Sequence, residues 1–295
     1  MMTSADIITA DQISDRLEAI PPLPEIVYEL NRVINDPMSS ISEVESIMST
    51  DQGLTAKVLR LANSAYYSIP GGVSNLQRAI AYIGYDTVNQ LVLSTSIVDA
   101  LKAPGSSGFD LKQFWKHSLG VGMACEVTAQ YVGYATPADL FTCGLVHDMG
   151  KVATHIIAPQ FFSVVVSYAR EKGISVNEAE AQLGVVSHTF VGQALALRWR
   201  LPAIIQVATC HHHEKDATKR TGLSDELNLV ADVVYLANVM VHNLKFGNSG
   251  HDKVVGVPKE VIQRLQLEPP QLKEIMAKTK EAFQAADSFL AIIGG

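Results

Sequence analysis

Apolar residues recur at helical spacing along almost the whole chain of 295 residues, and this restricts it to helix-on-helix packing. Ile26, Val27, Leu30, Val33 and Ile34 form the first clear stripe, opened by Pro24 and stopped by Asn35-Asp36-Pro37. Ile41, Val44, Ile47 and Met48 make a second. Leu54, Val58, Leu61 and Ala65 make a third behind an Asp51 cap. Pro70-Gly71-Gly72 breaks the pattern. Ser74 then serves as a cap for Leu76, Ala79, Ile80 and Ile83, Gly84 ends that helix, and Asp86 starts one reaching about Leu101. A strand competes at Val164-Val165-Val166, but Pro159 and Gly173 bracket that run at helical length, so it reads as helix. Small, uncharged residues from Ala103 to Gly108 mark an internal boundary, and Phe246 to Gly250 a second. The predicted organisation is all-α: a tail over 1–15, an N-terminal helical subdomain over 16–103, a helical bundle over 109–246 and a C-terminal helical extension over 251–295.

Composition narrows the function classes. Apolar residues make up 47%, enough for a sizeable core, and a net charge of -7 with no basic stripe argues against DNA as a partner. Cys125, Cys143 and Cys210 are sparse and unpaired in spacing, which fits a reducing cytoplasm. Met1 to Gln12 lacks the basic-then-apolar pattern of a signal peptide, and no apolar run reaches spanning length. A soluble, cytoplasmic protein without a membrane partner is therefore expected.

The middle region carries the candidate chemistry. Cys143-Gly144-Leu145-Val146-His147-Asp148-Met149-Gly150-Lys151 sets an imidazole beside a carboxylate, a donor pair that suits a divalent metal of intermediate hardness. Lys151 follows one turn later, within reach of a phosphate held by that metal. Alone, the pair also reads as a capped helix end. Helices opened by Asp110 with Gln113, Thr136-Pro137, Ser175 with Glu178, Leu201-Pro202 and Ser224 bring further donors. Together they place His117, His147, Asp148, His188, His212, His213 and Asp232 on about six consecutive helical segments, each in or beside an apolar stripe. Taken singly, each of these histidines reads more readily as a hydrogen-bonded core or surface residue than as a ligand. Seven nitrogen and oxygen donors delivered to one bundle interior match the needs of two metal ions, with Asp148 as a bridge.

The chain resembles the HDOD family, the HD-related output domains of bacterial signalling proteins, from about Leu17 to Asp232. The resemblance is carried by Ile20-Pro21-Pro22-Leu23-Pro24, Asp51-Gln52-Gly53-Leu54-Thr55, Leu61-Ala62-Asn63-Ser64-Ala65 and Ala79-Ile80-Ala81-Tyr82-Ile83-Gly84. It continues through Phe114-Trp115-Lys116-His117-Ser118, Gly144 to Lys151 and Trp199-Arg200-Leu201-Pro202. Asn63 and Ser64 read as a polar turn contact and not as catalytic groups. The resemblance implies membership of the HD superfamily of metal-dependent phosphohydrolases, in which most HDOD relatives have lost ligands and act as interaction modules. This chain keeps ligand-type residues at each expected place. In that it is similar to the HD-GYP phosphodiesterases, which cleave cyclic di-GMP; the seven residues above match their ligand positions and Lys151 their lysine. Gln113 stands where some relatives have a glutamate ligand, which argues against a third metal, and no GYP loop follows Glu214.

Taken together, the expected function is a bacterial signalling module with a dinuclear metal site, acting through protein partners. The alternative is a metal-dependent phosphohydrolase acting on a nucleotide or other phosphoester, with Asp148 and Lys151 as catalytic residues. A third reading is an empty site of hydrogen-bonded histidines. Iron is the first expectation for the metal, with manganese, zinc, cobalt and nickel open to the same donors. Cys143 and Cys210 lie near ligand positions but are expected to be packing residues. The break from Tyr66 to Val73 is expected to pack down on the bundle and couple the two subdomains.

Overall fold

The computed structural model describes residues 9–34, 40–103 and 109–293. The expected stop at Asn35-Asp36-Pro37 and most of the Ala103–Gly108 boundary lie outside the described residues, as does the start of the expected tail. The described residues contain no β-strand. Among the described residues, six helices form the N-terminal part: α1 (Ala10–Leu17), α2 (Glu25–Ile34), α3 (Ile41–Met48), α4 (Gln52–Ala62), α5 (Leu76–Ile83) and α6 (Tyr85–Ala100). The bundle runs through α7 (Leu111–Val132), α8 (Pro137–Val146), α9 (Met149–Ile157), α10 (Pro159–Lys172), α11 (Val176–Leu183), α12 (His188–Arg198), α13 (Ala203–His211) and α14 (Asp225–Asn243). The chain ends in α15 (Lys259–Arg264), α16 (Pro269–Ala282) and α17 (Ala286–Ile293). No helix among the described residues is long and apolar enough to cross a membrane.

Local chemistry sets many of the helix starts. The side chains of Asp51, Asp110 and Ser224 accept from the backbone N–H three residues on, and Ser40 with Glu43 and Ser175 with Glu178 close full capping boxes. One expected cap moves: Asn75, not Ser74, caps α5, its side-chain oxygen accepting from the Arg78 N–H at 2.9 Å. The valine run lies within α10, where Val165 and Val166 are buried.

Apolar burial joins both parts of the molecule in one continuous core running from Ile13 to Ile293. The expected boundary at residue 15 falls inside α1, whose Ile13 and Leu17 are buried and which packs on α9 and α12. Two of the sequence motifs meet beside it. The indole N–H of Trp199 donates to the Pro21 carbonyl at 3.1 Å, and Arg198 donates to the carbonyls of Leu17 and Ile20. The break after α4 also faces inward. Asn63 pins it by accepting from the Val73 N–H at 2.7 Å and donating to the Val73 carbonyl at 2.8 Å, the turn role expected for it. Tyr66 hydrogen-bonds Glu126 of α7, and its ring lies 5.8 Å from Phe141 and 6.2 Å from Phe289. The C-terminal helices are part of the same body, since α16 packs on α7 and α17 packs on α4, α6 and α7.

Candidate metal centre

The central pair sits at a helix break. Instead of one helix running through it, α8 ends at Val146 and α9 begins at Met149, with His147 and Asp148 between them. Gly150 makes the next contact possible. A Cβ there would lie 1.9 Å from the His188 carbonyl oxygen, so only glycine lets α9 approach the start of α12 and bring Asp148 to His188.

Asp148 is fully buried, at 0% exposure, with nitrogens close to both of its oxygens. Oδ1 lies 3.2 Å from Nε2 of His188 and 3.2 Å from Nε2 of His212. Oδ2 lies 3.3 Å from Nε2 of His147 and 2.7 Å from the Lys151 ammonium. Burial alone would raise its pKa, but the charge of Lys151, followed by His147, offsets that and holds the carboxyl well below the usual carboxylate range.

The far nitrogen of each central ring is tied to an oxygen. Nδ1 of His147 donates to the Gly144 carbonyl at 2.7 Å, and Nδ1 of His212 to the Ala208 carbonyl at 2.9 Å. Nδ1 of His188 donates to Glu180 Oε2 at 2.8 Å, while Glu180 Oε1 accepts from the His188 backbone N–H at 3.0 Å. Nε2 of His117 meets Asn238 Oδ1 at 3.0 Å. A carbonyl or carboxylate oxygen only accepts, so the proton sits on Nδ1 of His147, His188 and His212 and on Nε2 of His117, and the opposite nitrogen of each neutral ring presents a lone pair inward. This is the arrangement by which outer partners orient histidine ligands of a metal.

In their neutral forms the inward atoms face one another without protons to share. Nε2 of His188 is 3.4 Å from Nε2 of His212 and 3.1 Å from Nε2 of His213. Nδ1 of His117, Nε2 of His147 and Oδ1 of Asp148 are buried without a hydrogen bond. Such orphaned acceptors are costly unless a cation gathers them. Burial, aided by neighbouring rings, lowers the pKa of His117 to about 3 and that of His213 well below its ordinary value. Burial also lowers His212 to about 4, against the pull of Asp148. These three imidazoles are therefore neutral near pH 7, the form that ligates. His188 is raised instead: burial lowers it, but Glu180 and Asp148 outweigh that.

Two donor groups result, sharing Asp148. Its ligand atom lies with those of His188, His212 and His213 in one group, and with those of His117 and His147 in the other, each group within 4.8 Å. The donors are all imidazole nitrogen and carboxylate oxygen, so the residues present fit a divalent transition metal. No cysteine belongs to either group; of the two expected to be packing residues, Cys143 is buried and Cys210 half-buried, and burial pushes both thiols up.

Asp232 does not join them. Its carboxylate is held by Arg264, Nε at 2.7 Å and Nη2 at 2.7 Å, and by Arg220 at 2.9 Å. Two guanidinium forks satisfy it, so the expectation of a seventh ligand there is corrected. The amide of Asn238, farther along the same helix, meets His117 instead.

Several groups at the site carry no signal in the sequence. Glu180 reads as a polar helix residue, yet it is buried against His188. The segment expected to be a boundary, from Phe246 to Gly250, lies over the cluster. A Cβ on Gly247 would come 2.2 Å from the His117 backbone nitrogen, and the Asn248 N–H donates to the Gln113 carbonyl at 2.9 Å. The hydroxyl of Ser249 is 3.3 Å from the Lys151 ammonium. His242 packs at a tilt of 42° against His117 with centroids 4.3 Å apart, and His251 stacks on His242 at 4.4 Å.

Residues 20–215 match the HDOD domain. The chain is 28% identical to an HDOD domain protein of unknown function from Geobacter sulfurreducens, whose crystal structure superimposes with a TM-score of 0.77 over 95% of this chain and 99% of that one. A crystal structure of a candidate phosphohydrolase from Shewanella amazonensis SB2B shares the fold, at 22% identity and a TM-score of 0.70 over 94% of this chain and 97% of that one. An uncharacterized protein from Treponema pallidum (strain Nichols) is 26% identical over 279 residues, covering 94% of this chain. The chain spans about half the length of that curated relative, 52% of it.

Proposed function

The chain belongs to the HDOD domain family, and from that premise we propose that it is a signalling module built around a dinuclear transition-metal site, acting through protein partners. One observation carries this reading: five of the six donor side chains are shut away from solvent, His213 alone being partly exposed. Asp148, His117, His147, His188 and His212 are buried, and the segment around Gly247 and Ser249 covers them. A cation gathered there has ligands, while a phosphoester would have to enter where only His213 is partly exposed. The metals then hold α7, α9, α12 and α13 in one arrangement, and the outer surface of the bundle is what a partner reads.

A second reading rests on Lys151. Its ammonium is 1% exposed and lies beside the carboxylate that both donor groups share, where it could meet a phosphoryl oxygen once the covering segment opened. A divalent cation held there supplies charge to stabilise that oxygen and to acidify water. Asp148 would keep both cation positions together, and Lys151 would orient the phosphoryl group. The shared fold with a candidate phosphohydrolase keeps this reading in view.

A panel of phosphoesters that includes cyclic di-GMP separates the two. The metal-loaded protein is expected to turn none of them over near ordinary enzyme rates. Turnover of roughly 1 per second or more, abolished in both His147→Ala and Asp148→Ala, would replace the module reading with the enzyme reading.

A further inference from the structure

The two donor groups are not equivalent, and the difference lies on the shared carboxylate. Oδ1 of Asp148 faces only imidazole nitrogens, those of His188 and His212 at 3.2 Å each. Oδ2 faces His147 at 3.3 Å but already holds the Lys151 ammonium at 2.7 Å. That ammonium is buried and is steadied on its other side by Ser249 at 3.3 Å. Ligand supply points the same way. Three imidazoles accompany Asp148 in the first group and two in the second.

We propose that Lys151 is a built-in counter-cation that sets metal stoichiometry: one ion binds at His188, His212, His213 and Asp148 Oδ1, and a second binds at His117, His147 and Asp148 Oδ2 only by displacing the ammonium. The inference rests on the metal reading above and narrows it: of the two cation positions, wild type fills one readily and the second only weakly. Two positive charges within about 4 Å repel strongly in a dry interior, so the second ion meets both that repulsion and the loss of the lysine's anion. The first ion feels the ammonium only from across the carboxylate and does not take the oxygen that the lysine holds. Lys151 thus tunes the centre between a mononuclear and a dinuclear state, and Ser249, on the covering segment, helps to hold it in the mononuclear one.

Equilibrium dialysis against Mn(II), read together with electron paramagnetic resonance, tests this. The wild-type protein should bind about one ion tightly and give the spectrum of an isolated Mn(II), with the second ion on the order of 100-fold weaker. Lys151→Met should bind two ions and give an exchange-coupled spectrum, as expected for ions about 3.5–4 Å apart. Lys151→Arg, which keeps the charge, should behave like wild type. Ser249→Ala removes no buried charge and should strengthen the second ion by a smaller factor, so it decides the matter if Lys151→Met does not fold. Wild type that binds two ions with like affinity and a coupled spectrum would overturn the inference, as would one ion only in both Lys151→Met and Ser249→Ala. No ion bound by wild type would overturn the metal reading itself, and this inference with it.

Discussion

His188 shows how one residue acquires a ligand's geometry from its surroundings. Its Nδ1 is fixed by Glu180 at 2.8 Å, and the same carboxylate holds its backbone N–H at 3.0 Å, so ring position and tautomer are set together. Glu180→Gln keeps the size of this partner but removes its charge; it should weaken metal binding by about 10-fold or more. Competition with a chromophoric chelator measures this, and unchanged affinity would contradict the role given to Glu180. At this scale much was legible beforehand. His117, His147, Asp148, His188, His212 and His213 stand on apolar helical stripes, where a polar group needs a reason to be buried, and the fold gathers all of them. Asp232 was misread because its partners, Arg220 and Arg264, are set by tertiary packing and sit in segments that sequence periodicity cannot place. Glu180 and Asn238 were invisible for the opposite reason. Each looks like an ordinary polar helix residue until the neighbouring helix arrives.

Among the elements, the break between α4 and α5 and the covering segment after α14 do the most to join the molecule. Tyr66 couples the N-terminal helices to α7, α8 and α17 through Glu126, Phe141 and Phe289. Tyr66→Ala should lower the melting temperature by several degrees, as loss of a packed aromatic does in a chain of this size. Thermal unfolding followed by circular dichroism checks it, and an unchanged midpoint would mean that the break contributes no coupling. Caps such as Asp51, Asp110 and Ser175 could be read from the sequence because their chemistry is local. The role of Phe246–Gly250 could not. Small residues that mark a boundary in sequence here permit close approach, with Gly247 against the backbone of His117. Phe246, stacked on Phe283 at 3.7 Å, anchors that segment against the C-terminal helices.

For the whole molecule, the buried imidazoles tie stability to pH and to metal. Burial, first among the causes, lowers His117 to about 3, His212 to about 4 and His251 to about 3, from an ordinary value of 6.5. His213 and His242 are lowered well below that value for the same first reason. The unfolded chain therefore takes up protons that these folded rings refuse. Their contribution to stability is complete above pH 6.5 and is lost as pH falls toward about 4. His188 runs the other way, its contribution being present below 6.5 and lost as pH rises through its elevated folded value, but it is outnumbered. Metal-stripped protein should thus lose stability on acidification from pH 6.5 to 4, as read by denaturant unfolding at each pH. A flat profile there would mean that the rings are not buried as described. The central claim is that the facing donors around Asp148 exist to hold transition metal, and elemental analysis tests it most directly. Protein made with iron, manganese and zinc supplied and purified without chelator should carry at least about one ion per chain, and Asp148→Ala, which removes the shared carboxylate, should lose most of it. Wild type with less than about a tenth of an ion per chain would contradict the account.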